Sequence, residues 1–183
     1  MKIALIGYGK MGKAIEEIAL NQGHSIVLKI SSGNKEEMTT ERIKSADVAI
    51  EFTRPESAFY NIQFCLNNDI PVVSGTTGWL RELPQIESLC KKRNGSFLYA
   101  SNFSIGVNIF FALNKALADL MKSRQEYNVL IEETHHIHKK DAPSGTAITL
   151  AEGIIESGIK ESYSGEGHSD GGNLTITSIR KDE

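Results

Sequence analysis

Residues 133–147 read ETHHIHKKDAPSGTA, three histidines and two lysines set two residues ahead of a Pro-Ser-Gly-Thr run. Imidazole exchanges protons around pH 7 and a lysine ammonium can donate one, so His135, His136, His138, Lys139 and Lys140 are candidates for proton transfer. In an extended strand His135 and Lys139 would stand roughly 13 Å apart, four steps of about 3.3 Å each. The chain must therefore bend after the histidines if both are to meet one ligand. A bend is expected within KKDAPSG, because Asp141 makes local side-chain turns and Pro143 restricts Ala142 to extended conformations. Beyond it PSGTA opens a helix. Ser144 is a candidate N-cap, which would leave the amides of Gly145 and Thr146 unpaired at the helix start. A carboxylate binds favourably there. Cationic side chains and free amides together imply a small anionic substrate, with room for more than one carboxylate.

A second constellation lies near the N-terminus. GYGKMG sets Gly7, Gly9 and Gly12 in G-x-G-x-x-G spacing, with Tyr8, Lys10 and Met11 between them, directly after the apolar run KIALI and directly before a helical pattern. The first glycine permits a tight turn, the second lets backbone approach a pyrophosphate, and the third lets helix pack on strand. The helix start then offers amides to the phosphates. Dinucleotide binding is weighed against a merely structural turn, and the placement between strand and helix favours binding. A nicotinamide would deliver hydride, and one of the acids above would complete the reduction. The acidic residue that grips an adenosine ribose is expected about 20 residues further on. There the sequence reads LKISSGNK, with no carboxylate. Ser31 and Ser32 could donate hydrogen bonds and Lys35 could supply charge to a 2′-phosphate, so NADPH and NADH both stay open; a solvated turn is the alternative for Lys35. VVSGTTGW leaves Gly75, Thr76 and Thr77 at the end of a fourth strand, and YASNFS leaves Ala100, Ser101, Asn102 and Phe103 at the end of a fifth. Ligands of open α/β sheets bind outside such ends. Ordinary turn chemistry is the alternative. Glu51 and Thr53 end the third strand and are read as shaping it.

These residues need a scaffold. KIALI, SIVLKI, DVAIEF, IPVVSG and SFLYA read as buried strands, interleaved with helical patterns that include residues 56–66 and 81–92. Strand and helix in strict succession imply right-handed crossovers and a parallel sheet covered on both faces, a doubly wound α/β dinucleotide-binding domain over residues 1–103. The pattern then changes. Residues 104–122 are apolar around much of the helical circumference, which predicts a long buried helix. YNVLIEETHH and GNLTITSIR read as strands, GTAITLAEGIIES as a helix and SGEGHSDGG as a polar loop, a mixed α+β substrate-binding domain over residues 104–183.

Composition narrows the function classes. A formal charge of −3 over 183 residues, with Lys and Arg scattered, gives no basic stripe for nucleic acid. No apolar run approaches the roughly 20 residues that cross a bilayer. Cys65 and Cys90 have neither metal-ligand spacing nor the density of a disulfide framework. A soluble, cytoplasmic protein without membrane or nucleic-acid partners is expected. A metal site at His135, His136 and His138 conflicts with strand geometry, since adjacent side chains face opposite ways, and no further Cys or His pair completes a ligand set. His24 and His168 stand alone and read as structural or surface residues.

HHIHKKDAPSGTA, together with GTTG, NFSIGVN and the glycine loop, resembles the 4-hydroxy-tetrahydrodipicolinate reductases, also called dihydrodipicolinate reductases, of bacterial lysine and diaminopimelate synthesis. The resemblance runs from Met1 to the end of the chain. It implies a Rossmann-type first domain, a substrate-binding and oligomerisation domain after it, and reduction of a cyclic dicarboxylate imine to tetrahydrodipicolinate by NADPH or NADH. By motif position His135 resembles the family's catalytic proton donor and acceptor, Lys139 its second proton donor and His136 a substrate ligand. Ser144, Gly145 and Thr146 fall in the family's carboxylate-binding helix start; Gly75 to Thr77 and Ala100 to Phe103 match its coenzyme contacts. A homotetramer built through the second domain's sheet is also implied. Three features depart from the pattern. The glycine loop is one residue shorter than in many members, the acidic residue after the second strand is absent, and the family continues with a strand pair and a helical segment, so the second domain is expected to be incomplete at its C-terminus. A non-catalytic NAD(P)-binding sensor and a metal-dependent hydrolase are the competing classes.

Overall fold

The computed structural model describes residues 1–139, 141–165 and 171–182, and the chain divides into two compact units, Met1–Ser101 and Asn102–Glu183. Lys140, His168 and the middle of the Gly-rich loop, all read above, lie outside the described residues.

The first unit contains β1 (Lys2–Ile6), α1 (Lys10–Asn21), β2 (Ser25–Ile30), α2 (Thr40–Ile43), β3 (Val48–Glu51), α3 (Pro55–Asn67), β4 (Val72–Ser74), α4 (Leu83–Arg93) and β5 (Phe97–Tyr99). Its strands pair in parallel in the order β2-β1-β3-β4-β5. The central strand shows why. Ala4 and Ile6 enter a large core with Ala58, Ile62 and Leu66 of α3 and Ile86 of α4, whereas Ile3 and Leu5 enter a smaller one with Ala19 of α1. A strand apolar on both faces is satisfied only between two layers of helix, so the sheet is doubly wound. Pro55 opens α3 at a position where a missing amide donor costs little. The strand order reverses between β1 and β3, and ligands of such sheets bind at the crevice outside this switch point.

The second unit contains α5 (Ile105–Met121), β6 (Ile131–His136), α6 (Gly145–Glu156), β7 (Ser162–Ser164) and β8 (Asn173–Lys181). β8 lies between β6 and β7 and runs parallel to both. Ala147, Ala151 and Ile154 of α6 pack on Leu174 and Ile176 of β8 and on Ala118 of α5.

Two expectations need correction here. The helix over residues 104–122 is not buried: Ile105, Leu113 and Leu120 are 79%, 62% and 75% exposed, and Ala118 is its one fully buried residue. A small sheet with α6 upon it covers only one strip of α5, along which Asn114 Nδ2 donates to the Leu150 carbonyl at 3.0 Å. An apolar periodicity says that a face is fit to be covered; it does not say by what. The strand read in YNVLIEETHH begins only at Ile131, and β7 falls where no strand was expected, since its three residues Ser-Tyr-Ser carry no periodic signal.

Candidate functional site

In the first unit the three glycines differ as their spacing requires. Gly7 has φ +101° and a Cβ there would lie 1.9 Å from the Phe52 carbonyl oxygen; a Cβ on Gly12 would lie 2.4 Å from the Gly7 oxygen. At Gly9 a Cβ would meet nothing within 4 Å. Two glycines therefore serve close packing, and the middle one faces open space where a phosphate group can approach. The amides of Gly7 and Tyr8 both donate to the Ile30 carbonyl, at 2.9 and 2.8 Å, which ties the loop to the end of β2. Gly9 caps α1 without a side-chain hydrogen bond and the first turn holds no acidic residue, so Lys10, Met11 and Gly12 present an uncontested positive helix end. The Tyr8 hydroxyl donates to Glu16, and Lys29 reaches the same carboxylate at 3.2 Å. These features fit a dinucleotide.

After β2, Asn34 Oδ1 accepts from the amide and the hydroxyl of Ser31, at 2.7 and 2.9 Å, and Gly33 N donates to Ser31 Oγ at 3.2 Å. The Ser31 hydroxyl is thus engaged locally, while Ser32 and Lys35 are exposed. A cavity of about 350 Å³ opens on the Ser31 and Asn34 side of this turn, lined also by Tyr8, Glu37 and Arg42. Arg42 lies 2.6 Å from Glu37. Sequence reading passed over Asn34 and Arg42; an Asx residue three positions beyond a strand-ending serine is the signal that marks such a turn.

At the ends of β3 and β4, Glu51 is wholly buried and accepts from the Thr53 hydroxyl and amide, from Ser74 Oγ at 2.6 Å and from Thr76 Oγ1 at 3.0 Å. Thr53 N also donates to Thr76 Oγ1 at 2.7 Å. Thr76 therefore turns its side chain inward, and Thr77 is the exposed threonine of the pair. A Cβ on Gly75 would strike the Phe52 ring at 2.1 Å. Trp79 Nε1 donates to the Thr76 carbonyl at 2.7 Å, its ring edge-on to Phe97 and Tyr99. The loop after β4 is thus held from below by Glu51 and from behind by Trp79. Ala100 N donates to the Ser74 carbonyl at 3.3 Å at the end of β5. Asn102 Oδ1 accepts from Ser104 N at 2.8 Å, ahead of the exposed Phe103 at the entry to α5.

In the second unit β6, a tight turn and α6 carry the proton-transfer candidates. Lys139 N donates to the His136 carbonyl at 3.1 Å, closing the bend expected after the histidines. Alternation along β6 leaves His135 part-buried and His136 exposed, the latter with its ring centroid 6.1 Å from that of His138. Lys139 Nζ lies 2.7 Å from both carboxylate oxygens of Asp141. That ammonium holds the Asp141 carboxyl below its ordinary range. Arg180, cross-strand neighbour of His135, donates to the Lys139 carbonyl at 3.2 Å and the Asp141 carbonyl at 2.5 Å and so fixes the turn to β8. The Ala142–Pro143 peptide is cis. Ser144 Oγ accepts from Ala147 N at 3.2 Å, the N-cap anticipated, and the amides of Gly145 and Thr146 have no acceptor among the described residues.

Glu133 joins these parts. Its Oε1 accepts from Ser144 N at 2.9 Å and Ser178 Oγ at 2.7 Å, and its Oε2 lies 3.2 Å from His135 Nε2. Burial opposes its ionisation, but the hydrogen bonds from Ser144, Ser178 and His135 outweigh burial and hold the carboxyl at about 2. Sequence reading missed Glu133, although its place two residues before His135 put both on one face of a strand.

The family description "Dihydrodipicolinate reductase, N-terminus" matches residues 1–103 and "Dihydrodipicolinate reductase, C-terminus" matches residues 106–183. A 4-hydroxy-tetrahydrodipicolinate reductase from Christiangramia forsetii is 51% identical over 160 residues, covering 87% of this chain and 66% of the relative. One from Neisseria meningitidis is 33% identical over 158 residues, covering 84% and 57% respectively. This chain spans less than two thirds of the length of either relative. The solved structure of a dipicolinate-bound dihydrodipicolinate reductase from Paenisporosarcina sp. TG-14 superposes with a TM-score of 0.69 at 26% identity, over 100% of this chain and 79% of that one. Both halves of the sequence and its fold lead to one assignment: the chain belongs to the dihydrodipicolinate reductase family.

Proposed function

We propose that this chain supplies the coenzyme cradle and the acid cluster of an NAD(P)H-dependent reductase that converts 4-hydroxy-tetrahydrodipicolinate to tetrahydrodipicolinate in lysine and diaminopimelate synthesis. The observation that carries the reading is the Glu133 carboxylate, bonded at once to His135 and to the amide just ahead of Gly145, so that a proton donor and an anion-binding helix start share one anchor. The dipicolinate bound by the Paenisporosarcina relative is a planar ring with two carboxylates, the chemistry such an arrangement suits. In this reading His135 and Lys139 are the proton donors, His136 and the amides of Gly145 and Thr146 hold the substrate, and Ser144 fixes the helix start. The glycine loop, the Gly75 to Thr77 loop and the segment from Ala100 to Phe103 hold the coenzyme, which supplies hydride when bound. The chain's own part is to orient the ring, exclude water and deliver a proton, while the ring hydroxyl leaves as water together with a hydrogen from the neighbouring ring carbon. Exposed Ser32 and Lys35 after a strand that ends without a carboxylate of its own support NADPH over NADH, with Arg42, paired to Glu37, as a further cation beside Ser31 and Asn34. A cytoplasmic location rests on composition and on two cysteines without a disulfide or metal pattern, and a homotetramer rests on the family resemblance.

The test is oxidation of NADPH and of NADH, followed side by side by loss of nicotinamide absorbance on adding freshly generated cyclic substrate to this chain. Turnover with NADPH the better coenzyme is expected. Saturable NADPH binding with no oxidation would overturn the reductase reading in favour of a sensor.

A further inference from the structure

Glu133 bonds to a proposed proton donor and to the helix start without a role of its own in the chemistry above, and among the described residues it is the most heavily bonded carboxylate of the second unit. Its side chain is 10% exposed and that of His135 31%. An ionised carboxylate has no proton to donate, so the hydrogen in the 3.2 Å contact between Glu133 Oε2 and His135 Nε2 sits on the imidazole. In the neutral ring that leaves Nδ1 bare. Among the described residues, two neighbouring cations are engaged elsewhere: Arg180 across the strand pair donates to the carbonyls of Ile179, Lys139 and Asp141, and Lys139 is paired with Asp141. The Oε1 bonds to Ser178 and to Ser144 N fix the carboxylate against β8 and the start of α6, so the ring cannot turn without breaking a network that spans three elements.

We propose that Glu133 is a positioning residue for the reductase, holding His135 as the Nε2–H tautomer so that Nδ1 is the atom that carries protons to and from the substrate. The proposal rests on the reductase reading. As the substrate ring gains hydride, the Nδ1–H bond of protonated His135 breaks, its electron pair stays on nitrogen and the proton passes to the ring. A neutral Nε2–H imidazole remains, and solvent returns a proton to Nδ1. Because the same carboxylate receives the Ser144 amide, the distance from that nitrogen to the free amides of Gly145 and Thr146 is set by one group.

Two measurements test this. Long-range ¹⁵N–¹H spectra of the imidazoles, with the His135 signals assigned by comparison with His135→Gln, should show the Nε2–H tautomer in the wild-type chain and loss of that preference in Glu133→Gln, whose carboxamide can donate as well as accept. In steady-state assays Glu133→Gln should lower kcat roughly 10–100-fold, by analogy with the loss of a partner that orients a metal-bound imidazole, with KM for NADPH unchanged. Ser178→Ala, which removes one Oε1 bond and leaves Oε2 in place, should keep most of kcat. A wild-type Nδ1–H tautomer, or freely exchanging tautomers, would overturn the proposal, as would a Glu133→Gln variant that loses kcat only in step with NADPH affinity and melting temperature. Absence of turnover in the wild-type chain would instead refute the reductase reading, and the spectra alone would then decide the tautomer.

Discussion

His135 and Lys139 each have a carboxylate partner, and the two pairs differ in kind. Asp141 is 59% exposed and clasps an ammonium 24% exposed on its own turn, an ion pair that a ligand can open at small cost. Glu133 is enclosed and held by three elements. If these residues are proton donors and not coenzyme contacts, His135→Ala and Lys139→Ala should each cut turnover by at least ~100-fold, the low end for loss of a general acid, and leave NADPH affinity by fluorescence titration nearly unchanged. Parallel loss of coenzyme affinity would contradict the roles. Glu133 also makes stability depend on acid in a defined direction. Its carboxyl is lowered from an ordinary 4.5 to about 2, so the stabilisation is fully present above about 4.5 and is lost as pH falls through about 2. Hydrogen exchange of the amides of β6 and α6 should accelerate across that window, and Glu133→Gln should remove that step. The Ser144 cap and the bend after the histidines were legible because each is a chemical type in a tight spacing. Glu133 was not, because its importance lies in partners 11 and 45 residues away, Ser144 and Ser178, which no local pattern announces.

Single elements explain how the glycine loop can be both rigid and receptive. A methyl at Gly7 or Gly12 must displace backbone, at 1.9 and 2.4 Å, whereas one at Gly9 enters open space. Gly7→Ala and Gly12→Ala should therefore destabilise the first unit by about 1–3 kcal/mol, as forced overpacking does. Gly9→Ala should leave the melting transition in place yet weaken NADPH binding, because the methyl takes the space a pyrophosphate would use. Thermal melts and coenzyme titrations of the three variants separate these outcomes; equal melting losses in all three would show that Gly9 is packed as tightly as its neighbours. The doubly wound sheet itself was readable, since five apolar runs divided by helical patterns admit few other arrangements. Ser31 shows where that reading stops. Its hydroxyl is a plausible ligand for a ribose phosphate by type and place, but Asn34 uses it to close the turn after β2, a preference settled by local geometry.

For the molecule as a whole the outstanding feature is α5. Ile105, Ile109, Leu113 and Leu117 recur every four residues along one side, all more than half exposed, with Leu120 continuing the line. Apolar rows of this length on soluble proteins mark surfaces that meet another surface. Their exposure also means that they contribute little to the stability of the unit that carries them, unlike Ala118 or Ile154 in its core. Replacing Leu113 and Leu120 with Glu should therefore leave the melting temperature of the chain within a few degrees of the original, since exposed substitutions cost within about 0.5 kcal/mol. The same change should reduce binding of an apolar dye and suppress concentration-dependent association in sedimentation velocity. A large fall in melting temperature with dye binding unaltered would mean that the row is packed in solution. Self-association lost on substitution, with NADPH affinity retained, would separate the assembly surface on α5 from the coenzyme cradle of the first unit.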